Sequence, residues 1–274
     1  MAELRRMRPL LGTYVEVWAR GPTPASSIEA AFASVERAHA RWSFHERGSE
    51  LSRLNLQPQQ QVAVSDDTLR LLRAARAVMR ASGGAFDCTV GGQLVEQGIL
   101  PDHGGPMPLA RGSADDIVLG RNWAGLRQPV RLTLDGIAKG YAVDLALRAM
   151  RRSGAIAGWV NAGGDLGIFG AAALPVERRE LDGRLTPLGS LCNAALASSR
   201  SGAPVHADDR TAYPGHIISQ LGTTPATGVW SVLARSGWRA DALTKVAANV
   251  AEHERAARVA DLGGCLLGPG GALS

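Results

Sequence analysis

Thr133-Leu134-Asp135-Gly136-Ile137-Ala138-Lys139-Gly140-Tyr141-Ala142-Val143-Asp144 sets two glycines around a lysine, where a strand-like run hands over to a helical one. Glycine lets a backbone approach a ligand closely. The free N–H groups of a helix start favour anions, and a lysine in the same turn adds a full positive charge. These are the parts of a phosphate cradle, although the spacing is not that of a G-x-x-x-x-G-K-[ST] loop. The residue type matters: the chain holds 30 Lys plus Arg, and only Lys139 and Lys245 are lysine. Taken alone, the segment is equally well a glycine turn carrying a surface lysine.

Three other stretches could do chemistry. In Asn161-Ala162-Gly163-Gly164-Asp165 the paired glycines permit a sharp reversal, with Asn and Asp as ordinary turn residues. In Arg239–Lys245, Asp241 and Thr244 stand three apart at a helix start, so a carboxylate and a hydroxyl share one face and could meet one cation. Oxygen donors suit Mg2+ better than zinc, while the plain alternative is an aspartate complementing the helix dipole. Asp87 in Ala85–Gly92 and His216 in Gly215–Ile218 are candidates of residue types that more often serve as a turn residue and a structural histidine. No serine sits in a G-x-S-x-G elbow, and no H-E-x-x-H pair is present, which leaves a hydrolase triad or a zinc enzyme little support.

The elements that must position these residues follow from periodicity. Gly12–Ala19 alternates as a strand, 25–42 has a helical repeat, and Ser49–Asn55 reads as a turn or short helix. The run beginning at Ser65 is a helix capped by Ser65 or Asp66 and ended by Gly83-Gly84. Residues 85–94 read as loop or short strand, and Gly98–Gly112, rich in Pro and Gly, as a surface loop. "DIVLG" and "VRLTLD" look like paired strands, and the run from Gly136 to about Ala155 reads as a helix. "IAGWVNAGGDLGIFG" is strand–turn–strand, "PVERRELDGRLTPLGS" a polar connection, and "LCNAALASS" and "VWSVLA" are strands. The stretch Arg200–Thr211 reads as loop, "YPGHIISQLGTTPATG" as a turn region, and everything from Arg239 to the paired Gly263-Gly264 as one last long helix. Strands and helices mix without regular βαβ alternation, which favours an α+β fold in a single domain over 1–274.

Composition narrows the classes further. Hydrophobic residues at 45% suffice for a packed core, and 20% charged residues argue against disorder. The net charge of +5 is an arginine excess with no long basic run, so nucleic acid is not the expected partner. Three widely spaced cysteines, Cys88, Cys192 and Cys265, fit neither a disulfide framework nor a zinc site and suit a reducing compartment. The first residues show no signal peptide or lipid-attachment cysteine, and no run is apolar enough to span a membrane. The expected compartment is cytoplasmic, or periplasmic if an export signal lies upstream.

In order, "GTYVEV", "SELSRLN", "AFDCTVGG", "LDGIAKGYAVD", "NAGGD", "GHII" and "ADALTK" resemble the FAD:protein FMN transferase family, also called the ApbE family or flavin transferases. The likeness runs from about Leu11 to the last helix, and the series is specific as a set although each piece is weak. The resemblance implies a T-fold-related α+β architecture, FAD as substrate and Mg2+ as cofactor. It also implies transfer of FMN to a threonine hydroxyl of a target flavoprotein, with AMP released. It places Leu11, His45, Ala85, Phe86, Asp87, Thr133, Asp135, Lys139, His216 and Ile218 on FAD. The metal falls to the main-chain carbonyl of Gly136 with Asp241 and Thr244, and Asp241 and Lys139 are the expected catalytic groups. No nucleophile is needed from this chain, because the acceptor supplies it. FAD hydrolysis to FMN and AMP and non-catalytic FAD binding are the rival functions.

Four departures stand in this chain. The family loop reads D-L-G-[GA]-I-A-K-G, against Thr133 and Asp135 here; Ser219-Gln220 replace the D-P after "HII"; and His45 stands for a tyrosine. The threonine commonly four after the last aspartate comes three after it, and Lys245 takes the fourth place. A lysine turned inward there would repel Mg2+.

Overall fold

A computed structural model describes residues 1–202, 217–218 and 224–267 of the chain. The element order begins β1 (Ala2–Leu10), β2 (Thr13–Gly21), α1 (Pro24–Trp42), α2 (Glu50–Leu56), β3 (Val62–Ala63), α3 (Asp66–Ala81) and α4 (Gly91–Glu96). It continues through β4 (Ile117–Leu119), β5 (Trp123–Leu126), α5 (Ala138–Arg152), β6 (Ala157–Ala162), β7 (Asp165–Phe169), β8 (Leu174–Arg179) and β9 (Leu185–Leu191). It closes with β10 (Ala195–Ser201), β11 (Gly228–Ala234), α6 (Gly237–Asn249), α7 (Glu252–Asp261) and β12 (Gly264–Leu267). The fold is α+β. No described helix is long and apolar enough to cross a membrane, and Cys88, Cys192 and Cys265 are free thiols.

Seven strands form one antiparallel sheet in the order β1-β2-β6-β7-β10-β11-β12. Alternation assigns its faces. Val17, Val160 and Phe169 point to one side, into a core with Ile28, Phe32 and Val35 of α1 and Val143 and Met150 of α5. Trp159, Ile168 and Leu196 point to the other, where Val176 of β8 and Leu188 and Leu191 of β9 cover them. Beyond the helices, a second core gathers Leu69 and Leu72 of α3, Leu51 and Leu54 of α2, Leu126 of β5 and Leu243 and Val246 of α6. Helices α5 and α6 therefore lie between the large sheet and the α2–α4 layer.

Several local expectations are corrected. The partner of "DIVLG" is not "VRLTLD" but the nearer hairpin strand β5. "VRLTLD" is held by helix α2 and the segment before α4 instead: Leu132 N–H donates to Asn55 Oδ1 at 2.7 Å, Asn55 Nδ2 donates to Leu132 O at 2.8 Å, and Thr133 N–H donates to Cys88 O at 2.8 Å. The polar connection is the hairpin β8–β9, built on alternation that buries Val176 and Leu188 around an Asp182-Gly183 turn. The last long helix breaks at Val250-Ala251 into α6 and α7 and is followed by β12. Strand β1 and helix α4 were not expected at all.

Candidate functional site

The site forms where four elements end together. Between β6 and β7 the reversal is a two-residue hairpin with Gly163 at φ 63° and Gly164 at φ 99°, which a side chain would strain. The neighbouring β1–β2 hairpin turns the same way through Leu11 at φ 57° and Gly12 at φ 69°. A Cβ on Gly163 would lie 2.7 Å from Thr13 Oγ1, so the two tips abut. Strand β7 starts directly after the Gly163-Gly164 turn, and there Asp165 shares the helix-facing side of its strand with Gly167 and Phe169.

Helices α5 and α6 cross at glycine on glycine. A Cβ on Gly140 would stand 2.1 Å from Gly237 O, and one on Gly237 would stand 2.3 Å from Gly140 O. The close approach lets each helix give a carboxylate to the other. Asp144 of α5 accepts from Gly237 N–H at 2.7 Å and Trp238 N–H at 3.1 Å, capping α6 from outside its own chain segment. Asp241 of α6 accepts from Gly140 N–H at 3.1 Å through Oδ2. Burial pushes the Asp144 carboxyl up, and those backbone donors and two arginines oppose it.

Lys139 and Lys245, the only lysines in the chain, meet buried carboxylates here. Lys139 Nζ lies 3.5 Å from Asp165 Oδ2, with the lysine side chain 37% exposed and the aspartate 3%. Asp165, then Asp241 and Asp135, hold the Lys139 ammonium above its ordinary range against the effect of burial. The Asp165 carboxyl is pushed up to about 6, first by burial and then by Asp241, with both lysines opposing. Asp165 Oδ2 has no hydrogen-bond partner among the described residues.

Lys245 Nζ pairs with Asp241 Oδ1 and donates to Ser199 Oγ at 2.9 Å. The Thr244 hydroxyl lies 2.7 Å from Ser199 Oγ and donates to Asp241 main-chain O at 2.7 Å. A Cβ on Gly136 would lie 3.4 Å from Lys245 Cε and 3.2 Å from Phe86 Cε2. Gly136, Asp241 and Thr244, the three expected ligands of a divalent cation, are thus brought together, but around the Lys245 side chain. Asp241 is fully buried and both its carboxylate oxygens are engaged. Among the described residues no group of three or more His, Cys, Asp or Glu could hold a metal. As arranged, this donor set does not fit a divalent cation.

Several of the expected flavin-side residues are held by hydrogen bonds. Ala85 O accepts from Asn249 Nδ2 at 2.9 Å, and Ile218 O accepts from the same amide at 3.3 Å. Asp87 Oδ1 accepts from the Thr89 hydroxyl at 2.7 Å and its N–H at 2.8 Å. Thr133 Oγ1 donates to Asp135 Oδ2 at 3.1 Å, so the two departures in the loop compensate each other locally. His45 is exposed in the bend after α1, outside this hydrogen-bonded set. His216, Ser219 and Gln220 lie outside the described residues.

Four contributors were not singled out from sequence. Asp165 had a signal, a charge opening an otherwise apolar strand, but it reads as a turn residue. Asp144 follows the glycine–lysine turn at helical spacing. Ser199 and Asn249 carry no local signal, because their partners lie 31 or more positions away: Thr244 and Lys245 for Ser199, Ala85 and Ile218 for Asn249.

A sequence profile described as the ApbE family matches residues 11–265. Among curated proteins nothing matches. Among solved structures, the ApbE protein of Thermotoga maritima superposes with a TM-score of 0.81 at 24% identity, covering 97% of this chain and 94% of that one. The flavin transferase ApbE of Vibrio cholerae gives 0.73 at 21%, covering 90% and 86%. The apo flavinyl transferase ApbE of Pseudomonas stutzeri gives 0.78 at 19%, covering 94% and 87%.

Proposed function

The chain belongs to the ApbE family, and from that premise we propose that it is a flavin transferase that moves FMN from FAD to a threonine hydroxyl of a target flavoprotein. The threonine Oγ forms a bond to the FMN-side phosphorus, the bond from that phosphorus to the AMP oxygen breaks, and the hydroxyl proton leaves to water. The products are an FMN phosphoester and AMP. The observation that carries this reading is the cluster of Lys139, Asp165, Asp241 and Lys245, set where the paired-glycine turn meets the glycine crossing of α5 and α6.

In this reading Lys139, the more exposed ammonium, faces the pyrophosphate and stabilises charge as the leaving oxygen develops it. Asp165 and Asp241 hold the two ammoniums in place. Leu11, Ala85, Phe86, Asp87 and Ile218 border the flavin, Thr133 and Asp135 border the remainder of FAD, and His45 and His216 are assigned by resemblance alone. The Mg2+ that the resemblance implies enters no step here, because its expected ligands surround Lys245.

The test mixes purified protein with FAD and a peptide carrying an acceptor threonine, with and without Mg2+. A flavin-labelled peptide and an equal amount of AMP are expected. AMP and FMN formed without peptide would identify a pyrophosphatase, and bound FAD without turnover a binding protein. Either result, with an established flavin transferase labelling the same peptide in parallel, overturns the proposal.

A further inference from the structure

We propose that the Lys245 ammonium takes the place of the divalent cation, so that this chain binds FAD with its own two lysines and without a metal. The inference rests on the reading above for what is bound, and on geometry for how. Lys245 is four residues after Asp241, on the same face of α6, and turns inward: its side chain is 16% exposed and that of Asp241 0%. Its Nζ pairs with Asp241 Oδ1, and its Cε comes within 3.4 Å of a Cβ position on Gly136. Its second hydrogen bond, 2.9 Å to Ser199 Oγ, reaches the hydroxyl that lies 2.7 Å from Thr244. The ammonium therefore pairs with Asp241 and reaches Thr244 through one hydroxyl, while the lysine stem packs beside Gly136.

Charge balance agrees. Asp165 and Asp241 bring two negative charges into the buried cluster, Lys139 and Lys245 bring two positive ones, and the exposed Asp135 adds a carboxylate at its solvent edge. A divalent cation added at Asp241 would find that carboxylate already paired and a like charge beside it, which is repulsive at such range. Composition agrees independently. In a chain that otherwise uses arginine for positive charge, both lysines stand in this cluster. A compact ammonium can stand in for a small cation between oxygen donors, where a planar guanidinium cannot.

The experiment reads metal binding directly, without acceptor peptide or turnover. Mn2+ is titrated into wild-type protein, Lys245→Thr and Lys245→Met, following free Mn2+ by electron paramagnetic resonance and melting temperature in parallel. Lys245→Thr restores a hydroxyl four residues after Asp241, and Lys245→Met keeps the apolar stem without charge. Wild type is expected to show no saturable Mn2+ binding at millimolar metal and no Mn2+-dependent rise in melting temperature. Its FAD affinity should be unchanged by EDTA. Lys245→Thr should gain saturable 1:1 Mn2+ binding, about tenfold or more tighter than wild type, and a Mn2+-dependent rise in melting temperature. Saturable binding by wild type overturns the proposal, as does FAD affinity lost on adding EDTA. Failure of both folded variants to gain Mn2+ also overturns it. A protein that binds FAD without metal yet labels no peptide fails the transferase reading and leaves this inference standing.

Discussion

At the residue scale, Asp165 and Lys139 are an unequal pair. The lysine is partly open to solvent, whereas the aspartate is closed off and leaves one oxygen without a hydrogen bond. Removing the exposed partner strips the charge that would meet the pyrophosphate. Lys139→Met is expected to lower FMN transfer by roughly 10²–10³-fold, the usual loss for one electrostatic donor at a reacting phosphoryl or acyl group. Lys139→Arg should recover only part of it, because a planar fork does not replace a point charge. Transfer rates with single-turnover FAD check both.

The buried carboxylate carries the pH dependence. Its folded-state pKa of about 6 lies above the unfolded value near ~3.9. Between these values the folded protein holds a proton that the unfolded chain has released. Stability is then highest at the acid end of the window and falls as pH rises through about 6. The expected contribution is roughly 1–3 kcal/mol, and Asp165→Asn should flatten it. Urea unfolding across that window in both proteins decides the matter, and an unchanged profile in the variant would remove Asp165 as its cause.

At the element scale, the crossing of α5 and α6 sets the geometry of the cluster. Gly140 and Gly237 face each other with no room for a methyl group on either. Gly140→Ala must push the helices apart, at roughly 1–3 kcal/mol, and draw Asp241 off the Gly140 N–H. Asp144→Ala removes the acceptor for two N–H groups at the start of α6, about 1–2 kcal/mol. Both variants should lose transfer activity more than their stability change alone explains, since both shift Asp241. Chemical denaturation beside FAD titration separates the two effects.

Much of this scale was legible in the chain. The glycine–lysine turn, the α5 repeat and the Asp241–Lys245 face follow from local periodicity and turn chemistry, and those residues do converge. What could not be read is long-range. The Asn55 side chain that clamps Leu132, the Ser199 hydroxyl beneath Lys245 and the Asn249 amide between Ala85 and Ile218 act across the fold. The β8–β9 hairpin was misread because its inward residues include Arg178, which is buried and donates to Leu267 O at 2.9 Å. A charge at an inward position breaks the pattern by which a strand is recognised.

At the scale of the whole molecule, the two faces of the seven-stranded sheet have separate duties. The helix-facing side carries Asp165 and Ser199 toward the lysines, and the opposite side is closed by β8–β9. FAD bound at the lysine cluster would touch groups from β7, α5 and α6, together with the Ala85 loop that Asn249 ties to Ile218. Ligand that binds only the folded state stabilises it by mass action. At a hundredfold excess over Kd the gain is about 2.7 kcal/mol, or roughly 5–10 °C in melting temperature for a chain of this size. Val176 of the hairpin packs against the far face of the sheet, 5% exposed. Val176→Ala should lower the melting temperature by removing buried apolar volume, about 1–3 kcal/mol, while leaving the FAD-induced rise at its wild-type size. Independent sites add in this way, and coupled ones do not. A rise that shrinks in Val176→Ala would mean that the hairpin face and the lysine face form one cooperative unit, so that the site depends on a layer it does not touch.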